Sequence, residues 1–299
     1  MATATAMARA SGERRTTATL GILLMLAGIL VFSVNDVMGK WLVSTYTVGQ
    51  VLLLRSLAAL VVLVPFVWRS PGLLLHPDRP GIQVARVALS TAEVGLFYAA
   101  AAHMPLADAI TYWLAAPIYV AALSPWLLGE QLGWRRWSAI LVGFAGVVVA
   151  LGPSAATLSP AAGFAAAGSL AFALMMITGR ALRGTPDVSL VFWQSAGALG
   201  AGLALAPFGW VTPSARDAGL LAQLGIVALG AHALVNRSLK LAPASVVTPF
   251  QYTLLLWAVL FGYLVFGDVP GPAVVTGSAI IVAAGLFIAH RERVRRAAA

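Results

Sequence analysis

Ionisable and hydrogen-bonding residues are rare in this chain, and several fall inside long apolar stretches. Glu93 is the only carboxylate near the centre of such a stretch. A carboxyl group at that depth can exchange a proton or hold a cation, and ionisable groups so placed usually face a cavity or a partner. A protonated carboxyl hydrogen-bonded to a neighbouring helix is the plainer reading. Asp36 and Lys40 stand one helical turn apart and can pair, and Arg55 is another partner for Asp36. With Asp108 these residues form a set of gate or proton-coupling candidates; the plainer reading of Asp36 and Lys40 is an ion pair that anchors the first stretch. His103 and His232 are further proton candidates, His103 at the outer end of its stretch, where hydration is the plainer reading, and His232 deeper.

Aromatic rings accompany these groups. Tyr98, Tyr112, Trp113 and Tyr119 cluster on either side of Met104-Pro105. Such rings can stack on a flat or cationic ligand, whereas Trp68, Trp126, Trp134, Trp137 and Trp210 read as interface anchors. Asn35, Thr111, Gln194, Asn236, Gln251 and Tyr252 complete the polar set within apolar stretches.

The elements that position these residues must be membrane spans. The chain of 299 residues is 60% hydrophobic and 10% charged, with mean hydropathy +0.90, against roughly 25% charged residues in a soluble domain. Ten apolar stretches are delimited at roughly 18–43, 47–68, 82–103, 105–127, 136–152, 160–182, 188–209, 217–239, 243–266 and 271–289. A helix of about 20 residues crosses a bilayer, and unpaired backbone in lipid excludes other forms. The first stretch is too long for a cleaved signal sequence and runs on to Asn35-Asp36, so it is expected to be a retained span. Pro105 suits the first turn of a helix, which predicts a tight hairpin of the third and fourth spans.

Positive charge alternates between connections. Of the 19 Lys and Arg, 15 lie in the N-terminal tail, in every second connection or in the C-terminal tail, from Arg9, Arg14 and Arg15 to Arg291, Arg293, Arg295 and Arg296. The rule that cytoplasmic loops retain positive charge predicts both termini in the cytoplasm. It also accounts for the net charge of +9 without nucleic acid, which would require a basic stripe on a folded face.

An internal repeat is expected as well. A shift of 138 positions lays Pro105 on Pro243, Ala107 on Ser245, Gly129 on Gly267 and Glu130 on Asp268. Five spans per copy make the copies antiparallel, an arrangement that carriers use to build a site near the midplane. On this topology Asn35, Asp36, Arg55, Tyr98, Asp108, Thr111, Tyr112 and Trp113 fall toward the outer third, and Gln194, His232, Asn236, Gln251 and Tyr252 toward the inner third. Two polar layers with a passage between them follow; the plainer reading makes each residue an isolated helix–helix hydrogen bond. Gly143, Gly146 and Ala150 in the fifth span, and Gly277, Ala284 and Gly285 in the tenth, are small faces that let helices approach closely. They fit an internal scaffold better than a dimer contact.

The segments LLGEQLGWRRWSAILVGFAGVVVAL and VFGDVPGPAVVTGSAIIVAAGLFIA resemble the repeat pattern of the drug/metabolite transporter superfamily, in its ten-span EamA-type branch. Asp268 stands where that pattern usually has Glu. The resemblance covers essentially the whole chain and is specific for fold rather than cargo. It implies movement of small polar metabolites, with exporters of amino acids, aromatic ones included, among the branch's members. Sugar-phosphate and nucleotide-sugar carriers are more distant.

The expected fold is an all-α integral membrane protein of ten helices in two inverted repeats. Its parts are a tail at 1–17, repeats at 18–152 and 160–289, and a basic tail at 290–299. The expected function is secondary transport: export of small amphipathic metabolites, most of all amino acids, across the inner membrane. Asn35, Tyr98, Tyr112, Trp113, Gln194, His232, Asn236, Gln251 and Tyr252 are the pathway candidates. The alternatives are a lipid-linked-precursor flippase, a nucleotide-sugar or drug carrier, and a non-transporting membrane subunit. The chain has no cysteine, no Gly-rich phosphate loop ending in Lys-Ser/Thr and no HExxH or G-x-S-x-G motif, so no catalytic residue, metal or cofactor is expected. The expected partners are the substrate and the bilayer, in a monomer or homodimer.

Overall fold

The computed structural model describes residues 2–69, 72, 79–128, 134–151, 159–182, 184–241 and 248–297, and among them no strand occurs. The Gly129-Glu130 punctuation, Pro243, Ser245 and the side chain of Asn236 lie outside the described residues.

The helices are α1 (Ala2–Val43), α2 (Val48–Arg69), α3 (Pro80–Ala101), α4 (Leu106–Leu114), α5 (Ala116–Leu128), α6 (Trp134–Leu151), α7 (Pro160–Ala181), α8 (Asp187–Leu205) and α9 (Ala215–Leu241). A 3-10 turn (Thr248–Tyr252) leads into α10 (Thr253–Phe261), which ends in a π turn (Gly262–Phe266) before α11 (Pro272–Ala297). Among the described residues six segments are long and apolar enough to cross a bilayer: Thr19–Val43 of α1, α2, α3, Pro160–Gly179 of α7, α8, and Ala215–Val235 of α9. Shorter apolar helices cover Leu106–Val120, Trp137–Gly146, Phe250–Phe266 and Pro272–Phe287.

Local chemistry explains several boundaries. Ser159 caps α7 by accepting a hydrogen bond from the Ala162 N–H at 3.3 Å, with Pro160 at the first helical position, where its missing N–H is harmless. Pro105 is the residue before α4 rather than its first helical one, and its carbonyl accepts from the Ala109 N–H at 3.1 Å. The fourth stretch, expected as one helix, breaks at Ala115 into α4 and α5. Pro117 has no N–H to offer the Trp113 carbonyl, and the chain tightens there through Ala115 N–H to Tyr112 O at 3.1 Å.

The packing has a pattern. α1 lies along α9 and α3 along α7; α1 also meets α10, as α4 and α5 meet α7. α2 touches α9, as α3 touches α8. The pairs α2–α8 and α6–α11 complete the set. Exchanging α1, α2, α3, α4–α5 and α6 for α7, α8, α9, α10 and α11 maps these pairs onto one another. Glycine permits the closest approaches. Gly202 of α8 lies on the Leu53 backbone and Gly225 of α9 on the Arg55 carbonyl, so α2 is seated between two helices of the other half. Gly146 of α6 lies on α11, where a Cβ would stand 3.1 Å from the Gly277 carbonyl oxygen. Outside this core, large apolar side chains such as Leu141, Val148, Leu203 and Leu256 are exposed, as lipid-facing surface requires.

Candidate functional site

Arg55, in the second turn of α2, is aimed inward because Gly225 brings α9 against its backbone. Its Nη1 donates to the Tyr98 hydroxyl of α3, and its guanidinium carbon stands 5.3 Å from the centre of that ring. Glu93 lies just over one turn before Tyr98 and accepts a 2.8 Å hydrogen bond from the Trp113 Nε1–H of α4. Phe97 meets both Tyr98 and Trp113 edge-on, with ring centres 5.6 and 5.1 Å away. Asp36 of α1 lies within electrostatic reach of Arg55 and Glu93.

Beside this cluster a cavity opens between α2, α3, α8 and α9. Arg55, Ser56, Ser90, Gln194, Ser195 and His232 supply its polar lining. His232 is fixed by an edge-on contact with Phe32 of α1 at 4.8 Å. The cavity thus unites Arg55, expected in one polar layer, with Gln194 and His232, expected in the other. Ser56, Ser90 and Ser195 escaped the sequence reading. Their signal was available: Ser90 lies one turn before Glu93, Ser56 beside Arg55 and Ser195 beside Gln194.

Other candidates are placed elsewhere. Asn35 donates from Nδ2 to the Leu224 carbonyl at 3.0 Å, which holds α1 to α9. Thr111 shares a 2.9 Å hydrogen bond with Ser278 of α11. The Tyr112 ring is buried in the core, and its carbonyl accepts from Ser169. Gln251 is half-buried and is not among the cavity's lining residues. The Tyr252 ring fills the socket left by Gly285 of α11, and its hydroxyl has no hydrogen-bond partner among the described residues. His103 is exposed and bonds the Ala99 carbonyl at 3.0 Å.

The expected pairing of Asp36 with Lys40 is corrected. Lys40 forms an ion pair with Asp268 at 2.6 Å and lies 4.5 Å from the centre of the Phe266 ring. One turn separates the residues on α1, but Lys40 reaches the end of α10 while Asp36 faces the Arg55 cluster. Gly267 makes this possible: its φ of +71° turns the chain at the end of the π turn and presents Asp268 to Lys40. That conformation is costly for any residue with a side chain. Asp108 of α4 lies within electrostatic reach of both partners.

The arrangement can hold charges of both signs next to aromatic edges in a low-dielectric interior, where such interactions are strengthened. Arg55 suits a carboxylate or phosphate. Asp36 and Glu93 suit an ammonium.

The comparisons with known proteins agree with this architecture. The family model described as the EamA-like transporter family matches residues 19–152 and again 159–289. The S-adenosylmethionine uptake transporter of Rickettsia prowazekii (strain Madrid E) is 27% identical over 274 residues, 91% of this chain and 93% of that protein. The riboflavin transporter of Rhizobium johnstonii is 27% identical over 282 residues, 92% of each chain. The pseudopaline exporter CntI of Pseudomonas aeruginosa is 24% identical over 277 residues, 91% of this chain and 97% of its own. One crystal structure superposes with a TM-score of 0.61 at 18% identity, covering 94% of this chain and 98% of that one, a likeness of fold. With two matched repeats, apolar helices throughout and transporters for relatives, this chain is a membrane transporter rather than an enzyme and belongs to the EamA-like transporter family.

Proposed function

We propose that the protein is a secondary transporter that exports small amphipathic metabolites, amino acids including aromatic ones foremost, across the inner membrane. Residues 18–152 and 160–289 act as two inverted five-helix halves that rock about the cavity, with both termini cytoplasmic. The observation that carries this reading is the cavity itself. Helices α2 and α3 of one half and α8 and α9 of the other line it, and Arg55 enters it beside two carboxylates. The exchange pattern of helix pairs supports an inverted repeat.

An amino acid matches the charges: carboxylate to Arg55, ammonium toward Asp36 and Glu93, side chain against Phe97 and Trp113. The relatives' cargoes are compatible. S-adenosylmethionine carries an amino-acid head and a flat base, and riboflavin carries a flat ring system. Binding drives the cycle only if the two conformations hold the cargo differently, and a substrate or proton gradient supplies the direction. The test is counterflow of labelled amino acids in proteoliposomes containing the purified protein. Saturable exchange is expected, with L-phenylalanine and L-tryptophan among the substrates. No saturable movement of any amino acid would remove this cargo class.

A further inference from the structure

The inward side of α3 carries more than Glu93. Gln83, Arg86, Ser90, Glu93 and Phe97 recur at intervals of three and four, the spacing that stacks side chains along one face of a helix. Ser90 and Glu93 belong to the cavity and the cluster beside it. Gln83 and Arg86 do not. They stand near the start of α3, and Gln83 precedes Glu93 by ten residues, about 15 Å along the helix. This is the end of the molecule away from Lys40 and Asp268.

Gln83 is 4% exposed, yet neither its amide nitrogen nor its amide oxygen has a hydrogen-bond partner among the described residues. The same holds for the buried Nε of Arg86. Among the described residues one hydrogen bond holds Arg86: its Nη1 donates to the Met175 carbonyl of α7 at 2.9 Å. Gly179, one turn further along α7, leaves space for the guanidinium, since a Cβ there would stand 2.8 Å from Nη1. His232 on the cavity wall lies within electrostatic reach of both Arg55 and Arg86. Burying a glutamine amide without partners leaves its desolvation unrecovered, and a leucine of similar size would avoid that cost. The unfilled donors are a guanidinium N–H and an amide N–H on one helix face. They match the two oxygens of a carboxylate, and the amide oxygen beside them matches an ammonium or hydroxyl.

We propose that Gln83 and Arg86 form a second subsite, which takes the carboxylate of the cargo at the cytoplasmic end before it passes His232 to Arg55. This rests on the transporter reading above. An amino acid would then be held twice along one path, each time by an arginine that α3 contacts or carries, with the polar seam of α3 between the two stations.

The test is isothermal titration of benzoate into the purified full-length protein, with Arg55→Gln removing the other guanidinium. R55Q is expected to keep saturable benzoate binding, and R55Q/Q83L and R55Q/R86Q to bind at least about tenfold more weakly. Benzyl alcohol, the same ring without the charge, is expected not to compete. Thermal unfolding confirms that each variant is folded. If R55Q itself does not fold, wild type and Q83L are compared, and two benzoate sites should reduce to one. Equal affinity in the folded variants overturns the subsite. So does inorganic phosphate binding at Gln83 and Arg86 without benzoate, which would mark a phosphate or lipid-headgroup site. Amino-acid counterflow is a separate readout: its absence would remove the cargo reading, while the titration would still decide whether the subsite exists.

Discussion

The two ends of the helix bundle differ in how well their polar groups are matched. At the Lys40 end the halves are tied repeatedly. Lys40 pairs with Asp268 at 2.6 Å, the Tyr46 hydroxyl donates to Asp217 at 2.6 Å, and the Gln50 side chain both accepts from the Val211 N–H at 3.1 Å and donates to its carbonyl. At the Gln83 end, Ser238 donates to the Gly21 carbonyl at 2.6 Å and Arg86 to Met175, while the Gln83 amide and the Arg86 Nε have no partner among the described residues. One end is tied by contacts between its own residues. At the other, buried donors have no partner among the described residues. The alternating-access cycle proposed above requires one set of ties to break as another forms, and the tied end is where that requirement can be tested.

The largest expected effect tests the point where the two ends meet. Arg55→Gln should lower counterflow by about 100-fold, the scale of a lost charge-assisted hydrogen bond in a buried site; flux within threefold of wild type would remove Arg55 from the pathway. Lys40→Met should loosen the tied end. With Ser56→Cys as a reporter in a chain that has no native cysteine, labelling by a membrane-impermeant maleimide from the Lys40 side should rise about tenfold. That corresponds to loss of roughly 1.4 kcal/mol of closure, and D268N should act alike without adding to K40M. Unchanged labelling would mean that the ion pair does not close the path.

Smaller effects sharpen the contrast between matched and unmatched groups. Tyr98→Phe removes the hydroxyl that receives the Arg55 bond and should cost about 1–2 kcal/mol of stability, whereas Tyr252→Phe removes a hydroxyl without a partner among the described residues and should be neutral or mildly stabilising. Denaturant unfolding in detergent separates the two; equal losses would contradict the assignment. The last effect depends on pH. Tyr46 lies in the connection between α1 and α2, and its hydrogen bond to Asp217 raises its pKa. Its contribution is complete below the ordinary tyrosine value of about 10 and is lost as pH rises through the raised value. Melting temperatures of wild type and Y46F should therefore converge at strongly alkaline pH.

Much of the architecture was legible residue by residue. Long apolar runs and Pro/Gly punctuation marked the helices, because backbone in lipid has few alternatives. The Gly267-Asp268 motif was visible as a landmark, but its role was not: a left-handed turn and an ion pair to α1 require knowing that the first helix and the tenth meet. The break at Ala115 was implicit in Pro117, but apolar continuity concealed it. The seam on α3 was not legible because Gln83 and Arg86 lie near a helix end, where polar residues are ordinary; what sets them apart is that the Gln83 amide and the Arg86 Nε are buried without a partner among the described residues.

Composition and periodicity by themselves determined that this is a membrane chain, where its apolar segments run, that a Gly-acid landmark recurs, and that its few charges are costly enough to need partners. Those properties depend on local hydrophobicity and backbone geometry, which each segment carries with it. Only the tertiary structure decided the partners: Lys40 with Asp268 rather than Asp36, Arg55 with Tyr98, Glu93 with Trp113, and Gln83 with none among the described residues. Pairing depends on which helices glycine allows to touch, and that contact joins residues far apart in the chain.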